Sequence, residues 1–415
     1  MKIVLSHPTG NANVRATAKG FFTNEILDSF FTTIATFPGS KLDFLSTIGP
    51  LSEFRRRSFD PSLSSLTKTS PLREMFRLAA SKLGWSLFTK HEAGLFCIDK
   101  VYRGLDKRVA ATLKDAAHRG VSGVYAYEDA AYYTFKEAKR FNLQCFYDLP
   151  IGYWRSARLI LEKEKQKWPD WISTLTGFDD SETKLAGKDN ELRLADRIYV
   201  ASSFTAKTLK EYPGDLALVE TIPYGFPQVE GTRDYPALSK RALKVLFVGG
   251  LSQRKGIANL FAAIDKFKTR IELTVVGHKP SIDCAPLNKA LSKHKWIPTL
   301  PHKEILALMR MSDVLVFPSL FEGFGLVITE AMSQGTPVIT TERTAGPDLI
   351  QHGENGWLIE AGSTDAISNQ IDVLLSDPVL LSIAGKNAMV EAASRPWNVY
   401  AQELTASITK HLSGN

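Results

Sequence analysis

Two glutamates stand eight positions apart, Glu322 and Glu330, in the stretch FEGFGLVITEAMSQG at residues 321–335. Apolar runs on both sides predict short buried strands, with a loop and then a helix between them. Gly335 stands where a helix commonly ends in a left-handed residue, which puts Glu322 in the loop and Glu330 on the helix. At about 1.5 Å per helical residue, we expect the two carboxylates on the order of 10 Å apart. A long ligand with a hydrogen-bond donor at each end would match them.

A second stretch, GGLSQRKG at residues 249–256, carries Arg254 and Lys255 just before a predicted helix. It follows the apolar run KVLFV, which predicts a strand. A strand, a flexible loop and two cations at a helix start form a suitable phosphate site, because backbone amides and the helix dipole add to the side-chain charges. The alternative is a solvated turn before a helix.

The loop between Glu322 and the helix start could also bind phosphate. Its glycines allow backbone N–H groups to approach a ligand closely, and the residues concerned are Gly323, Phe324, Gly325 and Leu326. The alternative is a tight connecting turn. Two phosphate loops flanked by carboxylates suit a nucleoside diphosphate sugar, since carboxylates accept hydrogen bonds from hydroxyls and belong at the ends, away from the phosphates.

The elements that must position these residues alternate between strand and helix along most of the chain. Apolar runs predict strands near residues 3–5, 121–127, 143–147 and 197–201, and again near 244–250, 271–277, 314–318, 337–340 and 356–360. A helix is predicted from about Val14 to Phe31, and residues 40–100 resemble a helical insertion. The Pro- and Gly-rich stretch at 221–236 indicates a hinge. We therefore predict an α/β protein with two Rossmann-like, doubly wound parallel sheets that face a central cleft.

Length and composition are consistent with that organisation. The 415 residues predict two domains of roughly 200 residues each. Three widely spaced cysteines suggest free thiols in a reducing compartment, and the N-terminal segment lacks the pattern of a signal peptide. No run approaches the roughly 20 apolar residues of a spanning helix. A cytoplasmic location is expected, and the moderate net charge of +7 does not call for a nucleic-acid partner.

Three motifs together resemble a known family. GGLSQRKG, SDVLVFPSLFEGFGLVITEAMSQGTPVI and AGPDLIQHGENGWLI are similar to the donor half of the retaining glycosyltransferases of family 4, which have the GT-B fold. The resemblance covers nearly all of residues 240–400. It implies that Glu322 contacts the sugar hydroxyls and Glu330 the ribose. It also implies that Arg254 and Lys255 neutralise the diphosphate while the amides from Gly323 to Leu326 hold it.

The resemblance extends to the first domain. Where relatives carry a Gly-Gly loop after the first strand, this chain has SHPTGNANV, so that Gly10 and Asn11 are donor-loop candidates. Where relatives have a histidine near the reacting carbon, Glu128 or Asp129 stands here and becomes an acceptor-side candidate; the alternative is a charge pair at a helix N-terminus. The implied domains are 1–225 and 226–394, with a final helix at 395–415 that returns to the first domain.

The function expected from the residues and the resemblance is transfer of a sugar from a nucleoside diphosphate sugar to an unidentified glycan, lipid-linked or small acceptor, with retention at the anomeric carbon. No metal or other cofactor is expected, because cations and helix ends can neutralise the diphosphate. A nucleotide-sugar epimerase of the same fold and a non-catalytic nucleotide-sugar sensor are the alternatives. A glycoside hydrolase needs no phosphate loops, and no G-x-G-x-x-G follows a first strand as a dehydrogenase would require.

The segment at residues 55–90 combines basic and apolar residues. Residues 53–90 hold eight Lys or Arg against three acids. From Pro71 onward, apolar residues recur at helical spacing: Leu72, Met75, Phe76, Ala79, Leu83 and Phe88. The simpler interpretation is a helix that packs this stripe on the first domain and leaves a basic face in water. The alternative is peripheral contact with an anionic membrane, at its inner face, or with a lipid-linked acceptor.

Overall fold

The computed structural model describes residues 1–40, 57–175, 178–238, 241–280 and 283–414. Residues 41–56 of the predicted insertion therefore lie outside the described residues. Two parallel sheets account for the strands. The first contains β1 (Lys2–Ser6), β2 (Leu27–Thr32), β3 (Thr67–Thr69), β4 (Val121–Tyr127), β5 (Gln144–Leu149), β6 (Arg197–Val200) and β7 (Leu218–Thr221). The second contains β8 (Leu243–Val248), β9 (Ile271–Val276), β10 (Lys295–Ile297), β11 (Val314–Phe317), β12 (Val338–Thr341) and β13 (Gly356–Ile359).

Both sheets are doubly wound, as the alternation of strands and helices predicted. The strand order is β3-β2-β1-β4-β5-β6-β7 in the first sheet and β10-β9-β8-β11-β12-β13 in the second. The order therefore reverses between β1 and β4 and between β8 and β11. Ligands of such sheets bind outside the carboxyl ends of the strands at these reversals. The motifs that follow β8 and β11 lie at this position in the second sheet.

Helices cover the faces of both sheets. In the first half they are α1 (Ala12–Thr23), α2 (Pro71–Lys82), α3 (Ser86–Thr89), α4 (Ile98–Ala110), α5 (Leu113–His118), α6 (Tyr132–Arg140), α7 (Trp154–Lys167), α8 (Glu182–Leu194) and α9 (Ser203–Thr208). In the second half they are α10 (Ile257–Ile264), α11 (Ala285–Leu291), α12 (His302–Met311), α13 (Leu326–Ser333), α14 (Gly346–Leu349), α15 (Thr364–Ser376), α16 (Val379–Ser394) and α17 (Trp397–Leu412).

None of the helices in the described ranges is by itself long and apolar enough to cross a membrane. The pair α15 and α16 meets that criterion of length and composition only when joined, and it is bent by 105° at the break.

The predicted helix from Val14 to Phe31 is wrong over its second half. Helix α1 ends at Thr23, and residues 27–32 form strand β2, which pairs with β1. Glu25 adopts a left-handed conformation with φ of 57°, which turns the chain between helix and strand. The short apolar run after this turn suited either element, and only its pairing beside β1 decided between them. The edge strands β3, β7 and β10 were not predicted, because none of them contains a buried residue and none forms an apolar run.

The last helix crosses from the second half of the chain to the first. Helix α17 packs on α1, where an added Cβ at Gly20 would overlap Ala401. The Tyr400 hydroxyl lies 3.3 Å from the Thr17 hydroxyl within the same buried contact. The domain limits at 225/226 and 394/395 stay predictions, but the return of the C-terminal helix to the first sheet's helices is present in the structure.

Candidate active site

The loops that follow β8 and β11 lie against each other at the carboxyl edge of the second sheet. The Leu320 backbone N–H donates to the Arg254 carbonyl oxygen at 2.9 Å, and the Ser319 hydroxyl donates to the same oxygen at 3.2 Å. The backbone that carries the two cations is therefore held by the backbone that leads to Glu322. Residues about 70 positions apart in sequence become one site through this contact.

Arg254, Lys255 and Glu322 form a partly buried charge cluster. One carboxylate oxygen of Glu322 contacts the Lys255 ammonium and lies 3.4 Å from a guanidinium nitrogen of Arg254. The side chains of Lys255 and Glu322 are only 12% and 16% exposed. Burial and the neighbouring Arg254 charge lower the pKa of Lys255, whereas contact with the carboxylate favours the charged ammonium. The two cations thus already share one oxyanion ligand, which is supplied by the protein.

The loop after Glu322 presents backbone donors at the start of α13. Gly325 precedes the helix with φ of +89°, a conformation in which glycine is favoured, and no side chain caps this helix start. Among the described residues, none accepts a hydrogen bond from the backbone N–H groups of residues 323–327. Uncapped N–H groups at a helix start favour an anion. Glu322 is in the loop and Glu330 is on the helix, as predicted.

Gly323 has a further role that the sequence did not indicate. Its carbonyl oxygen accepts hydrogen bonds from the hydroxyls of Ser202 at 2.5 Å and Thr205 at 2.9 Å, both from the first half of the chain. A Cβ at this position would overlap the carbonyl of Pro150, which follows β5. Glycine is therefore required here because the loop approaches the backbone at the end of the first sheet. The candidate site lies where the two halves of the molecule meet.

Glu330 has a partner that sequence reasoning missed. Its Oε1 lies 2.9 Å from Nε2 of His302, the first residue of α12. The hydrogen bond to Glu330 raises the pKa of His302, and partial burial and the charge of Arg15 oppose this shift. Arg15 belongs to α1 of the first half, so the two halves face each other here. A lone exposed histidine 28 positions from Glu330 carried no signal in the sequence.

The donor-loop candidates of the first domain lie at the N-terminus of α1. Asn11 is the residue before the helix, but its side chain makes no capping hydrogen bond. Gly10 packs against the ring of Phe59, which a Cβ would overlap, and its carbonyl oxygen accepts a hydrogen bond from Arg15. This loop lies at the reversal of strand order in the first sheet. It thus occupies the position at which a ligand shared by both sheets would meet the first domain.

The acceptor-side candidates lie directly after β4 and share one lysine. Lys188, from α8, places its ammonium 3.1 Å from a Glu128 carboxylate oxygen and 3.2 Å from one of Asp129. Burial raises the pKa of Glu128 to about 7, although Lys188 favours its charged form. Asp129 adopts φ of +69° and is the more exposed of the two acids. The pair is therefore neutralised by a lysine that the sequence did not single out.

The alternative role for Glu128 and Asp129, a charge pair at a helix N-terminus, is taken by two other acids. Glu191 accepts hydrogen bonds from the backbone N–H groups of Asp129, Ala131 and Tyr132, and Asp106 accepts those of the next two residues. These two acids cap the start of α6, so Glu128 and Asp129 are free of that task. Asp129, Lys188 and Glu191 line a polar cavity of about 830 Å³.

Part of the chain matches a known protein family. Residues 231–391 match the family described as "Glycosyl transferases group 1". The chain is 24% identical over 233 residues to the D-inositol 3-phosphate glycosyltransferase of Pseudarthrobacter chlorophenolicus, a match that covers 51% of this chain and 56% of that protein. The chain spans about a third to just over half of the length of the curated relatives it matches.

Solved structures resemble the whole chain. Sucrose-phosphate synthase from Thermosynechococcus elongatus superposes with a TM-score of 0.66 at 18% identity, covering 100% of both chains. HepE of Anabaena, solved in complex with UDP-glucose, gives a TM-score of 0.63 at 18% identity and covers 99% of this chain and 100% of that one. The chain thus has the GT-B fold. It is similar to glycosyltransferases, as its motifs indicated, and these comparisons support a transferase enzyme.

Proposed function

We propose that this protein is a retaining glycosyltransferase that transfers a sugar from a nucleoside diphosphate sugar to a hydroxyl acceptor. The observation that carries the proposal is the pairing of two cations, Arg254 and Lys255, with the uncapped backbone donors of residues 323–327, next to the first domain. One such loop would suit a single phosphate. Two adjacent loops suit a diphosphate, whose charge they can share.

Donor binding then exchanges one anion for another. One carboxylate oxygen of Glu322 contacts both Lys255 and Arg254, where we propose that the diphosphate binds. A bound diphosphate carries more negative charge than one carboxylate and accepts hydrogen bonds from the loop amides as well. It would therefore take over both cations and release Glu322 toward the sugar hydroxyls, which can donate to it. Glu322 thus partners the two cations until the diphosphate displaces it, and it then serves as a ligand of the sugar.

The nucleoside end of the donor is assigned to Glu330. Its carboxylate lies one helical turn beyond the diphosphate loop, and His302 leaves one of its two oxygens available. Ribose hydroxyls can donate to that oxygen. On the first-domain side, the loop with Gly10 and Asn11 would close over the donor. This arrangement follows the division of roles that the family resemblance implies.

The chemical step is substitution on one face of the sugar. The bond from the anomeric carbon to the diphosphate oxygen breaks, and the acceptor oxygen forms its bond on the same face while its proton passes to the leaving phosphate oxygen. Arg254, Lys255 and the loop amides stabilise the charge that develops on the diphosphate. Neutralisation by these groups requires no metal ion, so metal independence is part of the proposal.

The acceptor is proposed to approach from the side of Glu128 and Asp129. The cavity beside Asp129 offers carboxylates and lysines, which suit a hydroxyl-rich acceptor such as a glycan or a lipid-linked sugar. A cytoplasmic location remains part of this proposal, since Cys97, Cys145 and Cys284 are all buried free thiols.

Two experiments test the proposed function. A thermal-shift screen with UDP, GDP and ADP, with and without an attached sugar, should raise the melting temperature for one nucleotide, because a ligand of the folded state stabilises it by mass action. NMR of the product formed from that donor and an acceptor should then show the anomeric configuration of the donor. Inversion would refute retention, and the absence of any nucleotide-dependent shift would refute the donor site.

The same assays separate the alternatives. An epimerase would convert the donor without any acceptor, and a non-catalytic sensor would bind the nucleotide sugar but neither transfer nor hydrolyse it. No observation in the described residues favours either alternative over transfer.

A further inference from the structure

Helix α2 carries its apolar stripe on the outside. The helix contacts the rest of the molecule through the side on which Glu74 and Ala80 are buried, whereas Leu72, Met75 and Phe76 are 72%, 47% and 55% exposed. The stripe that was expected to pack on the first domain therefore faces solvent, and the acid faces inward. The predicted packing of the stripe on the first domain is therefore wrong, because the buried side of α2 carries Ala80 and the ion-paired Glu74.

The exposed stripe continues into the segment after α2. Half of the large apolar side chains that are exposed in the described residues lie between positions 72 and 98: Leu72, Met75, Phe76, Leu83, Trp85, Leu87, Phe88, Leu95 and Ile98. We call these nine residues the apolar face. Aromatic contacts hold part of it together, since Phe76 stacks on Phe96 with centroids 5.1 Å apart and Trp85 lies 6.0 Å from Phe88. An exposed apolar surface of this extent indicates an interaction site.

The charge around the apolar face is positive. Between residues 71 and 98, the chain has four cations, Arg73, Arg77, Lys82 and Lys90, and two acids, Glu74 and Glu92. Glu74 is buried and is paired with Arg57 at 2.6 Å and with Arg77 at 2.7 Å. Its charge is therefore used inside the protein. The apolar face therefore exposes hydrophobic side chains with cations beside them. Such a surface is complementary to one with an apolar interior and anionic groups at its boundary.

The inner side of α2 is connected to the donor loop of the candidate site. Arg57, which pairs with Glu74, also donates a hydrogen bond to the carbonyl oxygen of Pro8 at 3.1 Å. Pro8 lies two residues before Gly10, in the loop that leads from β1 to α1. The apolar face is thus fixed to the first domain by a charged contact that reaches the edge of the cleft.

We propose that the apolar face docks the protein onto an anionic lipid surface. Exposed Trp, Phe and Leu side chains would enter the boundary between headgroups and acyl chains, while Arg73, Lys82 and Lys90 would lie among the anionic headgroups. Docking by this face would hold the cleft beside the membrane, where a lipid-linked acceptor would be found. The docking itself does not depend on glycosyl transfer, and it is measured without any donor or acceptor.

Co-sedimentation with vesicles tests the docking. The full chain should sediment with vesicles that contain phosphatidylglycerol but not with pure phosphatidylcholine vesicles, and binding should weaken with salt. The Arg73→Ser/Lys82→Ser variant should bind about 25-fold more weakly, since each cation near an anionic surface contributes about fivefold. The Phe76→Ser/Trp85→Ser variant should bind more weakly to the same vesicles at high salt as well, because it loses apolar contacts.

A matched control removes exposed apolar side chains elsewhere. Val379 and Val390 on α16 are 62% and 71% exposed, and the Val379→Ser/Val390→Ser variant should bind vesicles like the parent. Failure of the parent to bind anionic vesicles at low salt, or equal binding by all variants, would overturn the proposal. Sedimentation velocity gives a third readout. If the parent forms a dimer but does not bind vesicles, and if only the Phe76→Ser/Trp85→Ser variant is monomeric, the apolar face binds a second copy of the chain. That result would overturn lipid docking.

Discussion

Replacement of Lys255 by alanine is the most direct test of the proposed donor site. The Lys255 side chain is 12% exposed, and its ammonium touches the carboxylate that we propose the diphosphate displaces. Two unit charges about 4 Å apart attract by about 4 kcal/mol at an effective dielectric of about 20. Loss of a preorganised charge partner costs about 2 to 4 kcal/mol of transition-state stabilisation. We therefore expect kcat/KM to fall by about 30-fold to about 1,000-fold.

The assay measures kcat/KM with a limiting donor, together with the melting temperature of each variant. The control is Lys266→Ala, because Lys266 lies in the same domain and pairs with Asp365 at 2.7 Å, with side chains 49% and 81% exposed. Exposed pairs of this kind contribute little, so the control should keep the parent's activity. Activity of Lys255→Ala within about threefold of the parent would refute the reasoning and leave the two cations as part of a solvated turn.

Three further predictions concern individual side chains. Glu322→Gln should lower turnover, but it should bind bare nucleoside diphosphate at least as well as the parent does, because a competing anion is removed. Glu330→Gln should instead weaken the binding of nucleoside diphosphate. Calorimetry measures both affinities, and equal losses in the two variants would contradict the division of roles. His302→Gln should lose the stability that the protonated histidine contributes through Glu330, at most about 1 kcal/mol for an exposed pair. Because that contact raises the pKa of His302, the loss of unfolding free energy in this variant should be complete below about pH 6.5 and should vanish as the pH rises through the raised pKa. A loss that stays constant in denaturant melts up to about pH 9 would disprove this prediction. Asp148 is buried, accepts a hydrogen bond from the Tyr125 hydroxyl at 2.7 Å, and has its pKa raised by burial to about 7. Relative to the Asp148→Asn variant, the parent should therefore lose about 4 kcal/mol of unfolding free energy between about pH 4 and pH 7. Parallel pH profiles of the two proteins would show that the Asp148 carboxyl is not held protonated.

The strands that carry the site could be predicted because their signal is local. The run VSGVYAY matches β4 at both ends, and the strand predicted at 271–277 extends one residue beyond the end of β9. The loop position of Glu322, the helical position of Glu330 and the left-handed Gly335 were likewise correct. In each case, neighbouring residues alone impose the conformation, through burial on both faces of a parallel sheet or through the φ angle that glycine favours.

The partners of the site residues could not be predicted in the same way. His302 meets Glu330 across 28 positions, Lys188 meets Glu128 across 60, and the Ser202 hydroxyl meets the Gly323 carbonyl across 121. Such contacts depend on where whole elements pack, and one charged or hydroxyl side chain on a helix has no periodicity that would single it out.

Helix α2 shows most clearly the difference between what the sequence determines and what the tertiary structure determines. The spacing of Leu72, Met75 and Phe76 was sufficient to indicate a helix with an apolar stripe, because periodicity is a property of the chain itself. Which side of that helix faces the protein was decided by the tertiary structure, in which Arg57 draws the carboxylate of Glu74 inward. A buried carboxylate needs a charged partner, and the position of that partner depends on packing between segments that are distant in sequence. The periodicity therefore determined the helix and its stripe, and the ion pair determined that the stripe faces outward.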